Sequence, residues 1–210
     1  MLSRMFKKLT NRGDSPDGTT VLSTIPPLQE CIYTSCYCEE NVWQLCKQLV
    51  KQEKSGNECY CVFISNSKRA IHLWKQKCAT EKNFVIWDYH VITVYGNRKH
   101  GYHVLDLDTR LSFPVPFKQY ASEALKSEET IMPDYKRFFR VITAQEYLKH
   151  FSSDRRHMKV GDSWQKPPPN YAPIITDPKN PHKLDEFIDM TKGKGLGEVL
   201  NYDEFLKKFG

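Results

Sequence analysis

The chain has 210 residues, 40% apolar and 27% charged, enough for one well-buried core and too apolar for wholesale disorder. No apolar run approaches the roughly eighteen residues a bilayer-spanning helix requires, which argues against a helical membrane protein. The net charge of +6 comes from lysines and arginines spread along the chain, so it reads as solvated faces rather than a nucleic-acid surface.

The opening MLSRMFKKLTNR is basic, with Leu2, Met5, Phe6 and Leu9 at helical spacing. A mitochondrial presequence has a similar pattern, but NRGDSPDGTT follows, rich in turn formers and poor in residues to bury. Residues 1–27 are therefore expected to form a flexible tail, and residues 28–210 a single domain. Seven cysteines without a continuous apolar leader point to free thiols in a reducing compartment.

The first strong element is a helix. Val42, Leu45, Cys46, Leu49 and Val50 make one apolar stripe, which stops before Ser55-Gly56-Asn57. Tyr60–Ser65, Phe84–Tyr95 and Tyr102–Leu107 read as strands, and GNRKHG between the last two suits an antiparallel hairpin. Thr143 and Glu146 form a capping-box sequence for a helix through Phe151, and Asn201 with Glu204 repeats it less perfectly. Pro167–Pro169 and Pro173 mark an extended surface segment. A helix, a mostly antiparallel sheet and then peripheral helices define an α+β domain.

The cysteines decide the chemistry. Cys36, Cys38, Cys59 and Cys61 could be read as four metal ligands, but a one-residue gap is poor zinc spacing, and Cys59 and Cys61 share one face of an apolar strand. A metal site is not expected from this spacing. Cys38 falls at the start of the helix, where backbone N–H groups favour a thiolate, while Cys36 lies outside it. Of seven histidines only His90 and His103 lie in strong strands. If Tyr95 pairs with Gly101, His90 lies opposite Asp106, His103 opposite Thr93, and Asp88 opposite Asp108. Cys38, His90 and Asp106 then make a nucleophile, base and orienting acid suited to acyl transfer. The Cys38 backbone N–H is one oxyanion donor and the Tyr33 hydroxyl a candidate for the second.

The motifs CxYxSCYCEEN (Cys31–Asn41), VFISN (Val62–Asn66), VIWDYHV (Val85–Val91), DLDT (Asp106–Thr109), FPxxF (Phe113–Phe117) and SDRxHMK (Ser153–Lys159) resemble those of the WDYHV family, the protein N-terminal glutamine amidohydrolases of eukaryotes. The resemblance implies a papain- or transglutaminase-like core with Cys38, His90 and Asp106 as its triad. It also implies conversion of an N-terminal glutamine to glutamate with release of ammonia, without cofactor or metal. Further implications are a place in the N-degron pathway, a cytoplasmic and nuclear location, and protein or peptide substrates with a free N-terminal glutamine. A monomer that engages neither nucleic acid nor membrane is expected. Such specificity needs a carboxylate to read the α-ammonium: Asp88 and Asp108 are candidates from the hairpin, Glu39 and Glu40 from their place beside Cys38, with purely structural roles as the alternative. Two further readings remain: a thiol peptidase or transglutaminase-like acyl transferase with the same triad, and a non-catalytic binding module.

Overall fold

The computed structural model describes residues 22–51, 56–80 and 83–210. Most of the expected tail lies outside them, but Ile25 is buried in a core and the Thr24 and Tyr95 hydroxyls share a 2.8 Å hydrogen bond, so packing begins before residue 28.

The architecture is α+β. Helix α1 (Cys38–Lys51) precedes strands β1 (Glu58–Ser65), β2 (Ile71–Trp74), β3 (Phe84–Trp87), β4 (His90–Asn97), β5 (Gly101–Leu105) and β6 (Val115–Pro116). After the short helix α2 (Phe117–Tyr120) come β7 (Phe138–Thr143), α3 (Ala144–His150), a hairpin of β8 (Lys159–Val160) and β9 (Ser163–Trp164), α4 (Leu184–Ile188), β10 (Glu198–Leu200) and α5 (Tyr202–Phe209). The central sheet is antiparallel in the order β10-β7-β1-β4-β5-β6, and β2 with β3 forms a separate ribbon.

Alternation along β1 divides the core. Cys59, Cys61 and Phe63 pack with Val42, Leu45, Cys46 and Leu49 of α1, while Val62 and Ile64 join Phe117, Phe139 and Phe205 on the opposite face. The two strand cysteines are thus small apolar residues of the core, as their spacing suggests.

Three expectations about the hairpin are corrected. The predicted single strand Phe84–Tyr95 is two strands, broken where Asp88 Oδ1 accepts the Tyr89 N–H (3.0 Å) and the Ser65 hydroxyl donates to the Asp88 carbonyl (2.7 Å). The register is displaced by two residues: Asn97 pairs with Gly101, Gly96 with Tyr102 and Tyr95 with His103. Asn97 Oδ1 accepts from the Lys99 and His100 backbone N–H groups, closing a tight turn that ends on Gly101 at φ +84°. A side chain on Gly96 would collide with the Gly101 carbonyl, so the close strand approach requires glycine there. Consequently His103 faces Tyr95 rather than Thr93, and the ladder ends at Leu105 before Asp88 and Asp108 can pair. Asp106, just past the end of the ladder, is therefore not directly opposite His90 as expected, but a two-residue displacement preserves side-chain faces and the two remain in hydrogen-bond contact.

The capping is also reversed in quality. Asn201 and Glu204 form both reciprocal bonds (2.9 and 2.8 Å), whereas Thr143 makes only the bond from the Glu146 N–H, because the Glu146 carboxylate turns to His150 at 3.4 Å.

Candidate active site

Asn41, in the first turn of α1, clamps the loop before the helix: its Oδ1 accepts from the Thr34 N–H and its Nδ2 donates to the Thr34 carbonyl, both at 2.8 Å. Tyr37 is fully buried, and its hydroxyl donates to the Lys166 carbonyl at 3.2 Å. Between these anchors Cys36 takes a left-handed conformation (φ +67°) and Cys38 opens the helix, half-buried.

His90 begins β4 and is buried, its Nε2 3.0 Å from Asp106 Oδ1. This commits Nε2 to the acid and leaves Nδ1 as the ring nitrogen free for other work. The Trp87 ring covers the imidazole, with centroids 4.6 Å apart. Asp106 Oδ1 also accepts the Asp108 N–H at 2.9 Å, and Oδ2 accepts from the Tyr120 hydroxyl at 2.9 Å and Gln76 Nε2 at 3.1 Å. Burial pushes the His90 imidazole down, but the charge and hydrogen bond of Asp106 push it up by more, so its pKa is raised. Burial likewise opposes ionisation of Asp106, yet His90 and the donors around it hold it below the usual carboxylate range.

At Cys38 the field of the helix end is opposed by burial and by nearby carboxylates. Burial, with the charges of Glu39, Asp108 and Asp88, lifts its pKa well above the ordinary thiol value, against a lowering contribution from the Val91 backbone N–H.

Cys38 and His90 line one cavity of about 670 Å³ together with Tyr33, Asp88, Asp108 and Trp87. The Tyr33 hydroxyl, a candidate oxyanion donor, gives its proton to Asp108 Oδ1 at 2.6 Å. Glu39 and Glu40 both have partners inside the protein. Glu39 is fully buried, accepting from the Tyr89 hydroxyl at 3.0 Å with His157 Nε2 at 3.4 Å. Glu40 is held by Arg155 through two bonds of 2.7 and 2.8 Å. Asp88 and Asp108 remain as carboxylates on the cavity wall.

Sequence reasoning missed Gln76 and Tyr120, which carry no motif signal, and His157, Arg155 and Tyr89, which do. All three lie inside the SDRxHMK and WDYHV stretches. Ligand atoms of His90, Asp106 and Asp108 lie within 4.8 Å of one another, the one such cluster among the described residues. Every close partner of the Asp106 carboxylate is an N–H or O–H group directed at it, an environment suited to a hydrogen-bonded anion rather than a cation ligand.

Residues 33–209 match the family described as N-terminal glutamine amidase. A relative from Drosophila melanogaster, described as protein N-terminal glutamine amidohydrolase, is 46% identical over 187 residues, covering 88% of this chain and 91% of its own. One of the same description from Drosophila grimshawi is 47% identical over 188 residues, with the same coverage.

Proposed function

The chain belongs to the N-terminal glutamine amidase family, and on that premise we propose that it hydrolyses the side-chain amide of a glutamine at a protein or peptide N-terminus to give glutamate and ammonia. The observation that carries the assignment of roles is the buried His90–Asp106 pair sharing a cavity with Cys38. His90 Nδ1 takes the thiol proton as Cys38 Sγ attacks the amide carbon, and the Cys38 backbone N–H faces the developing oxyanion. Collapse of the tetrahedral intermediate breaks the C–N bond, and the proton held by His90 leaves with ammonia. Water then gives its proton to His90 as it attacks the thioester, releasing glutamate and the thiol.

Asp88 and Asp108 are the proposed readers of the substrate α-ammonium. Their charges also help keep Cys38 protonated, so a bound ammonium both marks the correct substrate and removes a brake on thiol ionisation. A lost charge-assisted hydrogen bond of this kind is worth roughly 1.5–3 kcal/mol.

A nucleophile-bearing helix on an antiparallel sheet that carries the base and then the acid supports a papain- or transglutaminase-like core. With the family come a place in the N-degron pathway, a cytoplasmic and nuclear location, and a monomer working without cofactor or metal and apart from nucleic acid. No helix among the described residues is long and apolar enough to cross a membrane.

Ammonia release from a Gln-initiated peptide, its Asn counterpart and its N-acetylated form tests the reading. Only the unblocked Gln peptide is expected to react, Cys38→Ala to abolish release, and Cys36→Ala to retain most of it. Equal turnover of the acetylated peptide would favour a peptidase or transglutaminase-like enzyme acting on internal residues instead.

A further inference from the structure

A polypeptide whose first residue occupies the catalytic cavity must leave it, and the triad does not say where. A second cavity of about 620 Å³ adjoins the first, and Arg69, Asp185 and Ile188 line both. The two meet at an ion pair, Arg69 Nη2 to Asp185 Oδ1, at 2.7 Å. Building on the amidase reading above, we infer that this second cavity receives the residues following the terminal glutamine, and that Arg69 positions them by donating hydrogen bonds to their main-chain carbonyl oxygens.

Both walls of the groove are built rather than incidental. Arg69 holds a left-handed backbone (φ +47°), which a non-glycine residue keeps only where its surroundings over-determine it. Asn66 supplies that constraint: Oδ1 accepts from the Lys68 and Ala70 N–H groups at 3.1 and 3.0 Å, and Nδ2 donates to the Ala70 and Tyr135 carbonyls at 2.8 and 3.1 Å. The opposite wall, around Ile188 and Lys194, is fixed from beneath by buried Arg140. Its guanidinium donates to the carbonyls of Phe187 (3.1 Å), Lys194 (2.8 Å), Leu196 (2.7 Å) and Asp189.

Between these walls the ion pair is accessible, with side-chain exposures of 47% for Arg69 and 72% for Asp185. A guanidinium has five N–H donors, and among the described residues Arg69 gives one hydrogen bond, to Asp185. The remaining donors suit carbonyl oxygens of an extended chain, which advances about 3.3–3.6 Å per residue, so the second or third substrate residue would lie across this sill. Reading main-chain groups also suits an enzyme that must accept many protein sequences after the first residue.

The test compares ammonia release from glutamine α-amide and from a Gln-initiated pentapeptide, using wild type, Arg69→Ala and Arg69→Gly. The glycine variant removes the guanidinium while accepting the positive φ, so a loss shared by both variants is not a backbone effect. Wild type is expected to favour the pentapeptide in kcat/KM. Both variants should cut that preference by about tenfold, mainly through the pentapeptide KM, the size of one lost charge-assisted bond. A preference absent from wild type, or unchanged in the variants, overturns the inference while leaving the amidase reading intact. Wild type releasing no ammonia from either substrate would instead remove the amidase reading itself.

Discussion

Cys38 has Glu39 beside it in the chain and Asp88 and Asp108 near its sulfur, and their charges add to burial in favouring the protonated thiol. In the proposed mechanism His90 acts as the base when substrate arrives, which only neutral imidazole can do. Because the His90 pKa is raised, the acid limb of kcat/KM should lie above the ordinary histidine value of about 6.5. Asp106→Asn removes the raising charge and leaves the burial, so the limb should fall to lower pH while kcat drops by on the order of 10⁴, as the equivalent change does in a serine triad. Stability follows the same pair. Asp106 is depressed, so its contribution is lost as pH falls through its folded value, and His90 is raised, so its contribution is lost as pH rises through its own. Unfolding measurements should thus find the stability gap between wild type and Asp106→Asn widest between those two values and narrowing on either side.

At the scale of elements, the start of α1 is fastened to a segment more than a hundred residues away. Arg155, itself in a left-handed conformation and nearly fully buried, grips Glu40 with both sides of its guanidinium and donates to the Pro169 carbonyl at 3.3 Å. Arg155→Ala strands a carboxylate in the interior and should cost about 3–5 kcal/mol in urea unfolding, whereas replacing both partners by Met should recover most of that. The helix itself was legible in the sequence because its apolar stripe has one period and one face to bury. The strand Phe84–Trp87 and the start of β4 were legible as apolar runs, but their separation was not, because the break is made by the side chains of Asp88 and Ser65 and leaves hydrophobicity unchanged. The register lies two residues from the one the glycines suggest, since a glycine pair says that a turn exists and not where it closes; face parity is unchanged, and with it the contact of His90 with Asp106. The partners of Glu39 and Glu40 were illegible: nothing local announces that two acids in the first turn of a helix will be covered by Arg155, His157 and Tyr89.

For the whole molecule, the sheet has a hydrophobic core on each face. On the face away from α1, Phe205 stacks on Phe139 at 4.1 Å and meets the edges of Phe117 and Phe209 at 5.3 Å, closing the C-terminal helix onto the sheet. Phe205→Ala should lower unfolding free energy by about 3–5 kcal/mol, yet leave kcat at moderate temperature close to wild type, since the rings it meets, Phe117, Phe139 and Phe209, do not line the cavity of Cys38 and His90. Calorimetry and the ammonia assay on one preparation check both halves of that statement.

The cavity walls are drawn from Tyr33 at one end of the chain to Ile188 near the other. In chain order Cys38 comes first, His90 and Asp106 follow, and the Met158 and Ile188 sides of the cavity come last. The residue proposed as nucleophile is thus enclosed by walls that follow it by more than a hundred positions in the chain.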